Sequence, residues 1–512
     1  MTRRGILLVS ALLAVAAAVA SFVLSAPTRR DPASATPADF EARLRAACSS
    51  CHRFPPPGIL PRASWRGQIE HMAFLTDYVP DASSSPEVAF SVEEIVAWYE
   101  ARAPERLAVE MALARREPPP LRFRRRFAHL GPESGPGVGT VRRIEADLLG
   151  DGHPLLAAPN MMTGSVHLFS LFGGPRRIGR AAHPVRVVAG DLDGDGLEDL
   201  VISDLGDPMP TDEPVGRVLV ARNAGAGSFE LEAAVEGIGR VADARPLDLD
   251  ADGDLDIAVA SFGWLRRGGI YVLRNETPPG GDLALRVEPV SDRAGAVSVV
   301  PTEDLWQGAG RGFAVAFAQQ HEQISAFHPT REGYEERILY RAPHPNWGTS
   351  TIEPVDLDGD GDVDFLLAHG DTLDDGVAFK PYHGVEWIEN LGAGEFRARR
   401  IGGLYGAHGV LAGDLDGDGD LDVVACGFLP QVQLPVPERG MRVDSLIWFE
   451  RRDGDWIPWS IELDHPRHTG LTLVDLNADG RLDIVASINR AWDIESIERG
   501  PSLEIWFNEG PR

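Results

Sequence analysis

One nine-residue pattern occurs five times in this 512-residue chain and constrains its fold more than any other feature. The copies start at Asp191, Asp248, Asp356, Asp414 and Asp475, and each runs Asp-Leu-Asx-Gly/Ala-Asp-Gly-x-x-Asp into an apolar stretch such as LVIS, IAVAS, FLLA, VVAC or IVAS. Two eroded copies lie around Asp147–Gly152 and Asp304–Gly312, the second without acidic ligands. Steps between first aspartates run from 44 to 61 residues. Seven units at such spacing specify a repeat architecture.

Each unit reads as four short strands. In the sixth, HGVLAG precedes the Asp loop, and DVVACGF, SLIWFE and WIPWSIEL follow it. Four-stranded units repeated seven times fit a β-propeller, which protects its sheet edges by radial closure. The last unit ends after its third strand, LEIWFNEG, whereas LRFRRRFAHL at 121–130 resembles the outer strands FRARRIGG and FELEAAV. The expected fold is mainly β: a seven-bladed propeller over 121–512, closed by strand 121–130 and preceded by a small all-α domain.

In every complete loop, oxygen-bearing side chains fall at positions 1, 3, 5 and 9: Asp191, Asp193, Asp195 and Asp199; Asp248, Asp250, Asp252 and Asp256; Asp356, Asp358, Asp360 and Asp364; Asp414, Asp416, Asp418 and Asp422; Asp475, Asn477, Asp479 and Asp483. Carboxylates this close repel one another unless a cation sits between them. Gly at position 6 lets the next carbonyl turn inward, and hard oxygen ligands suit Ca²⁺. About five structural calcium ions are expected, against the plainer reading of solvated acidic turns. The loops resemble FG-GAP/VCBS-type repeats, the calcium-loop blades also seen in integrin alpha chains. The resemblance covers about residues 121–512.

Strand direction puts the Asp loops on one face of the ring and the starts of the inner strands on the other. His183, Arg240, Trp347, His408 and His468 lie near those starts. Long insertions between second and third strands bring His369, Asp371, Lys380 (the only lysine), Tyr382 and His383 to the same face. They form either a ligand pocket at the channel mouth or a polar cap that pins the loops.

Ahead of the repeats stands Ala47-Cys48-Ser49-Ser50-Cys51-His52, with two of the three cysteines. Arg3 and Arg4 precede an apolar run from Ile6 to Leu24, so residues 1–26 read as an export signal, with Ala18-Val19-Ala20 as a cleavage site, or as an uncleaved membrane anchor. That places the protein in the periplasm or at the cell surface, touching a membrane only through this segment. Three cysteines build no disulfide framework. Cys-x-x-Cys-His outside the cytoplasm is the attachment signature of c-type haem, with Cys48 and Cys51 as thioether sites and His52 as iron ligand. Met72 is the expected sixth ligand, with His71 and then Met111 as alternatives. After a linker at 27–35, residues 36–106 resemble a small class I cytochrome c: a helix entering Cys48, a second over 61–75 and a third capped at Ser91. Residues 107–120 read as a short helix and a proline linker.

Residues 1–120 hold 13 Arg and 13 Asp plus Glu, so the net charge of −28 lies wholly in 121–512. No basic surface is available for nucleic acid. The leading functional expectation is an exported monohaem cytochrome fused to a calcium propeller, passing electrons and docking a redox partner protein or a cell-surface component. The alternatives are a haem-coupled oxidoreductase or carbohydrate-active enzyme using the irregular face, and an adhesion or scaffold propeller.

Overall fold

The computed structural model describes residues 37–49, 52–78, 90–110, 113–131, 134–150, 152–225, 227–278, 281–306, 308–371, 377, 379–430, 442–464, 466–490 and 500–512. The signal or anchor segment, the 27–35 linker, Cys51 and Met111 lie outside the described residues. The chain divides into two compact units, Met1–Ala47 and Cys48–Arg512. In the first, helix α1 (Pro37–Cys48) carries Asp39 in its first turn and Arg45 in its last, which complements its dipole. Among the described residues no helix is long and apolar enough to cross a membrane.

Among its described residues the second unit contains 28 strands, numbered β1–β28 in chain order, in seven four-stranded antiparallel sheets. Blades one to six are consecutive, spanning 142–180, 184–238, 241–291, 296–341, 349–403 and 407–463. The seventh joins β26 (Leu471–Val474), β27 (Asp483–Ser487) and β28 (Leu503–Pro511) to β1 (Leu121–Ala128), which pairs with β28 from Phe123 opposite Asn508 to Ala128 opposite Leu503. An apolar cluster joins Val474, Val485 and Ile505 of this blade to Leu156 and Phe169 of the first. The second strand of each blade is buried along its length, as in Asp199–Asp204 and Asp422–Gly427. Burial on both faces explains why those runs read as continuous apolar stretches rather than alternating ones.

Two more helices precede the ring. Helix α3 (Val92–Glu100) opens with a capping box: Ser91 Oγ accepts from Glu94 N at 3.2 Å, and Glu94 Oε2 accepts from Ser91 N at 2.8 Å. Its Tyr99 stacks on Trp65, the first residue of α2 (Trp65–Tyr78), with centroids 3.9 Å apart.

The described part of 104–120 is not helical, contrary to the sequence expectation. It runs extended along blades five and six, where Arg115 bridges to Trp459 and Ala114 packs beside Trp387, Ile401 and Phe449. Helix propensity in ALARRE is overridden by this packing.

Candidate functional sites

The Asp loops have a common geometry. In the loop starting at Asp191, the first carboxylate accepts from the amides of Gly194 and Gly196, both at 2.9 Å. Asp193 and Asp195 accept from amides two residues onward. The same first-carboxylate bonds recur in the loops at Asp356 and Asp414. Position 6 has φ of 87°, 98°, 92°, 99° and 85° in the five loops, which explains its invariable glycine. In four loops three carboxylates bring oxygens within 4.8 Å of one another: Asp191, Asp193 and Asp199; Asp248, Asp250 and Asp252; Asp356, Asp358 and Asp360; Asp414, Asp416 and Asp418. The fifth places the Asn477 amide between Asp475 and Asp479.

Position 9 is the buried wall of each loop. Asp199 accepts from Leu192 N at 3.1 Å and Asn223 N at 2.8 Å. Burial pushes these carboxyls up, Asp199, Asp364 and Asp483 to about 6 and Asp422 to about 7. Such converging acidic oxygens, largely exposed at positions 1, 3 and 5 and buried at position 9, fit a hard divalent cation. The second loop differs: Arg274 reaches Asp256 at 2.7 Å and Asp250 at 3.4 Å, and Arg311 pairs with Asp248. Two guanidiniums there supply part of the positive charge from the protein itself.

On the opposite face the inner strands converge on the axis. A cavity of about 220 Å³ is lined by one residue at or just before each inner strand: Thr140, Val185, Ala242, Val297, Ser350, His408 and Thr469. Arg240 and Asp371 reach the same wall, together with Phe262, Phe428 and Asn489. The His408 ring bonds the Thr469 carbonyl through Nδ1 at 2.9 Å, so Nδ1 carries the proton and Nε2 is left as an acceptor. Arg186, which lines the cavity, belongs to a largely buried charge cluster. Glu353 meets Arg142, meets Arg245 at 3.4 Å and lies 3.8 Å from Arg186; Asp243 lies 3.2 Å from Arg186 and 3.3 Å from Arg245. Sequence reasoning missed this cluster. Its signal was a charge inside each of several otherwise apolar inner strands, as in PVRVVAG, VADARPL and TIEPV.

Of the histidines expected at the mouth, only His408 lines the cavity. His183 is not a lining residue, but its Nδ1 lies 2.7 Å from the carbonyl of Met161, which is. His468 is buried between blades six and seven, with Nε2 2.6 Å from Glu462 and 3.7 Å from Glu504, beside Arg125 of β1. A second group gathers beside the cavity. Trp347 stacks on His369 at 4.4 Å and on Tyr382 at 5.6 Å, and His344 meets Tyr382 edge-on at 4.5 Å. His383 and Lys380 are buried next to them, and Lys380 Nζ donates to the Asp371 carbonyl at 3.4 Å. Neither ring nitrogen of His369 or His383 makes a hydrogen bond within the described residues; the Trp347 backbone approaches His369 outside hydrogen-bonding geometry. Burial, with Arg400 next to His369 and Lys380 next to His383, holds both imidazoles neutral.

The segment after Cys51 lies against this same face. Tyr382 Oη donates to the Ile59 carbonyl at 3.3 Å. Burial depresses the His321 imidazole and nearby His52 adds to that, whereas burial and Glu386 raise the Tyr340 hydroxyl and nearby Arg53 opposes the rise. His52 Nδ1 lies 2.8 Å from the Arg53 carbonyl. A carbonyl only accepts, so Nδ1 holds the proton and Nε2 presents its lone pair. Cys48 is half-buried, and burial pushes its thiol up to about 11. Phe54, Trp65, Trp98 and Tyr99 form an aromatic wall beside the segment, where Trp98 Nε1 is buried without an acceptor among the described residues and Arg102 lies over the Trp98 ring at 4.4 Å. On α2, Met72 is half-buried and His71 exposed.

Residues 369–425 match the family model described as FG-GAP-like repeat. No curated protein matches the chain. Among solved structures, similar chains include an Agrocybe aegerita lectin described as recognising non-reducing terminal N-acetylglucosamine, at 15% identity and TM-score 0.40 over 72% of this chain and 99% of that one. BBS1N in complex with ARL6DN matches at 10% identity and TM-score 0.45, over 75% and 96%. An exo-type rhamnogalacturonan lyase matches at 12% identity and TM-score 0.38, over 71% and 72%.

Proposed function

We propose that this protein is an exported monohaem c-type cytochrome fused to a calcium-stabilised propeller, acting in electron transfer and in binding a redox partner or a cell-surface component. The observation that carries the reading is the packing of the Cys-His segment against the propeller face opposite the Asp loops, through the Tyr382 bond to Ile59. An electron-carrying group at Cys48–His52 then sits beside the one face where side chains of all seven blades converge.

The residues present fit a haem. Cys48 and Cys51 would hold it covalently, and His52 offers Nε2 with its proton held at Nδ1 by the Arg53 carbonyl. The orphaned Trp98 Nε1 and the neighbouring Arg102 are donors suited to its carboxylates, and the aromatic wall excludes water. Met72 is the proposed sixth ligand. The bound group would supply one-electron transfer. About five Ca²⁺ ions would fill the loops at Asp191, Asp248, Asp356, Asp414 and Asp475, stabilising the ring without taking part in chemistry. The domain limits that go with this reading are 36–106 for the haem domain and 121–512 for the ring, with export placing both in the periplasm or on the cell surface.

A second reading follows from the cavity. With a binding site at the channel mouth on the haem-facing side, a bound substrate would be oxidised by giving its electrons one at a time to the haem, with an external redox partner protein taking each from it in turn. The deciding experiment is to mix oxidised holoprotein with candidate periplasmic cytochromes in their reduced form and, separately, with candidate substrates. Reduction by a partner protein alone supports the carrier reading, and reduction by a small substrate that is lost in His408→Ala supports the oxidoreductase. Reduction by neither contradicts both.

A further inference from the structure

The wall of the channel-mouth cavity is mostly apolar, with Met161, Val185, Leu205, Phe262, Val297 and Phe428 among its members. Its cationic and hydroxyl donors are largely spent within the protein. The Arg240 guanidinium donates to the carbonyls of Asp207 at 3.0 Å, Gly263 at 3.3 Å and Pro208 at 3.5 Å. Nε and Nη1 of Arg186 are shut off from the cavity and face Asp243 and Glu353. The hydroxyl of Thr140 donates to the Val185 carbonyl at 2.9 Å, that of Ser350 to the Gly348 carbonyl at 3.1 Å, and that of Thr469 to the Val138 and Gly139 carbonyls at 3.0 and 2.9 Å. A sugar or a carboxylate, each of which needs several donors from its site, is poorly matched to such a wall.

One acceptor on this wall is open. The His408 Nδ1 proton is held by the Thr469 carbonyl at 2.9 Å, which leaves the lone pair on Nε2. Among the described residues Nε2 makes no hydrogen bond, and unlike the ring nitrogens of His369 and His383 it is not shut off from solvent. Burial, the largest influence on this imidazole, lowers it against the pull of Asp371 and the Thr469 carbonyl, so the ring is neutral at pH 7. The Asp371 carboxylate on the same wall adds acceptors and no donor. The polar end of the cavity therefore calls for a ligand that donates, and the rest of it for one that is apolar. An apolar cavity of about 150 Å³ holds benzene. At about 220 Å³ this one has room for a single ring that carries a hydroxyl.

We infer that the channel-mouth cavity binds a small uncharged phenol, with its hydroxyl donating to His408 Nε2 and its ring against Phe262, Phe428 and the aliphatic wall. Phe428 stands edge-on to His408 with ring centroids 5.9 Å apart, so a ring hydrogen-bonded to the imidazole meets an aromatic neighbour. A phenol hydroxyl is more acidic than an aliphatic one and donates more strongly to an imidazole, and a neutral ligand brings no charge to be desolvated. The site is assembled by the propeller alone and does not depend on a haem.

Isothermal titration of the purified, calcium-loaded full chain with phenol, toluene and D-glucose tests this. Phenol is expected to bind at millimolar concentration or below. Toluene, of like shape but without the donor, is expected to bind at least tenfold more weakly, and glucose not at all. His408→Leu is expected to bring phenol down to the level of toluene. Because that change also frees the Thr469 carbonyl, Ala242→Phe provides a second test: it fills the cavity from another wall, leaves His408 in place, and is expected to abolish phenol binding with an unchanged circular dichroism spectrum. Absence of phenol binding to the wild-type chain would overturn the inference. So would toluene or glucose binding as tightly as phenol, or full phenol affinity in a folded Ala242→Phe or His408→Leu protein. Haem content is read separately by absorbance, so failure here and failure of the haem reading are distinguishable.

Discussion

Asn508, at the end of the last strand, donates from Nδ2 to the carbonyl of Leu415, in the Asp loop of the preceding blade, at 2.8 Å. Its own amide donates to Asp483 at 2.9 Å, the position 9 carboxylate of its own blade. Asn275 links Leu192 and Asp256 in the same way, and Asn390 links Leu305 and Asp364. Blade six uses Arg451, which reaches Leu357 and Asp422. Each of these residues ties one blade's loop to its neighbour's. Replacing Asn275 with Ala strands the buried carbonyl of Leu192 and the part-buried one of Leu255, and should cost about 1–3 kcal/mol. Urea unfolding of Asn275→Ala measures it, and an unchanged midpoint would show that the tie contributes nothing.

Calcium removal should loosen the ring. Each ion bound at a hundred times its dissociation constant adds about 2.7 kcal/mol. EDTA is expected to lower the melting temperature and Ca²⁺ to restore it. The Asp248 loop, whose carboxylates already meet Arg274 and Arg311, should be the least calcium-dependent. Thus Asp358→Asn should reduce the EDTA-sensitive part of the melting shift more than Asp250→Asn.

Position 4 of the loops gives a stabilising change. Gly occupies it in three loops, but Ala251 and Ala478 adopt φ of 65° and 59° there. A side chain in the left-handed region costs roughly 1–2 kcal/mol. Ala251→Gly and Ala478→Gly should each raise stability by about 1 kcal/mol, read as a higher denaturant midpoint with unchanged slope.

Acid should act through the axial cluster. Burial alone would raise the Glu353 carboxyl from its ordinary 4.5, but Arg142, Arg245 and Arg186 outweigh it and hold it at about 2. A carboxyl depressed by folding contributes stability that is complete above its unfolded value and lost as pH falls through its folded one. Stability on the order of 3 kcal/mol should therefore disappear between pH 4.5 and pH 2. Glu353→Gln should be less stable at neutral pH and should lack this part of the acid dependence; a wild-type acid profile in the variant would contradict the assignment.

The ring was legible because its signal is repeated. Five Asp loops and continuous apolar second strands specify blades, and the capping box at Ser91-x-x-Glu94 specifies α3. What was not legible depends on contacts distant in sequence. His468 and His408 look alike in the chain, yet one is locked between Glu462 and Glu504 while the other faces the cavity. Arg186, Asp243 and Glu353 sit on three different blades, and only ring closure brings them together. The 104–120 segment has helical composition, but its partners are Trp459 and Trp387, more than 270 residues away. The Asn275 tie had a visible sign, an Asn recurring after the third strand of most blades in RNAG, RNE, ENLG and FNEG.

The most direct test of the proposed haem-bearing propeller is the absorption spectrum of the dithionite-reduced full chain, expressed for export alongside cytochrome c maturation. The account predicts a sharp c-type α band that survives denaturation in wild type and is lost in Cys51→Ser. A colourless wild-type protein, or pigment released on denaturation, would contradict it.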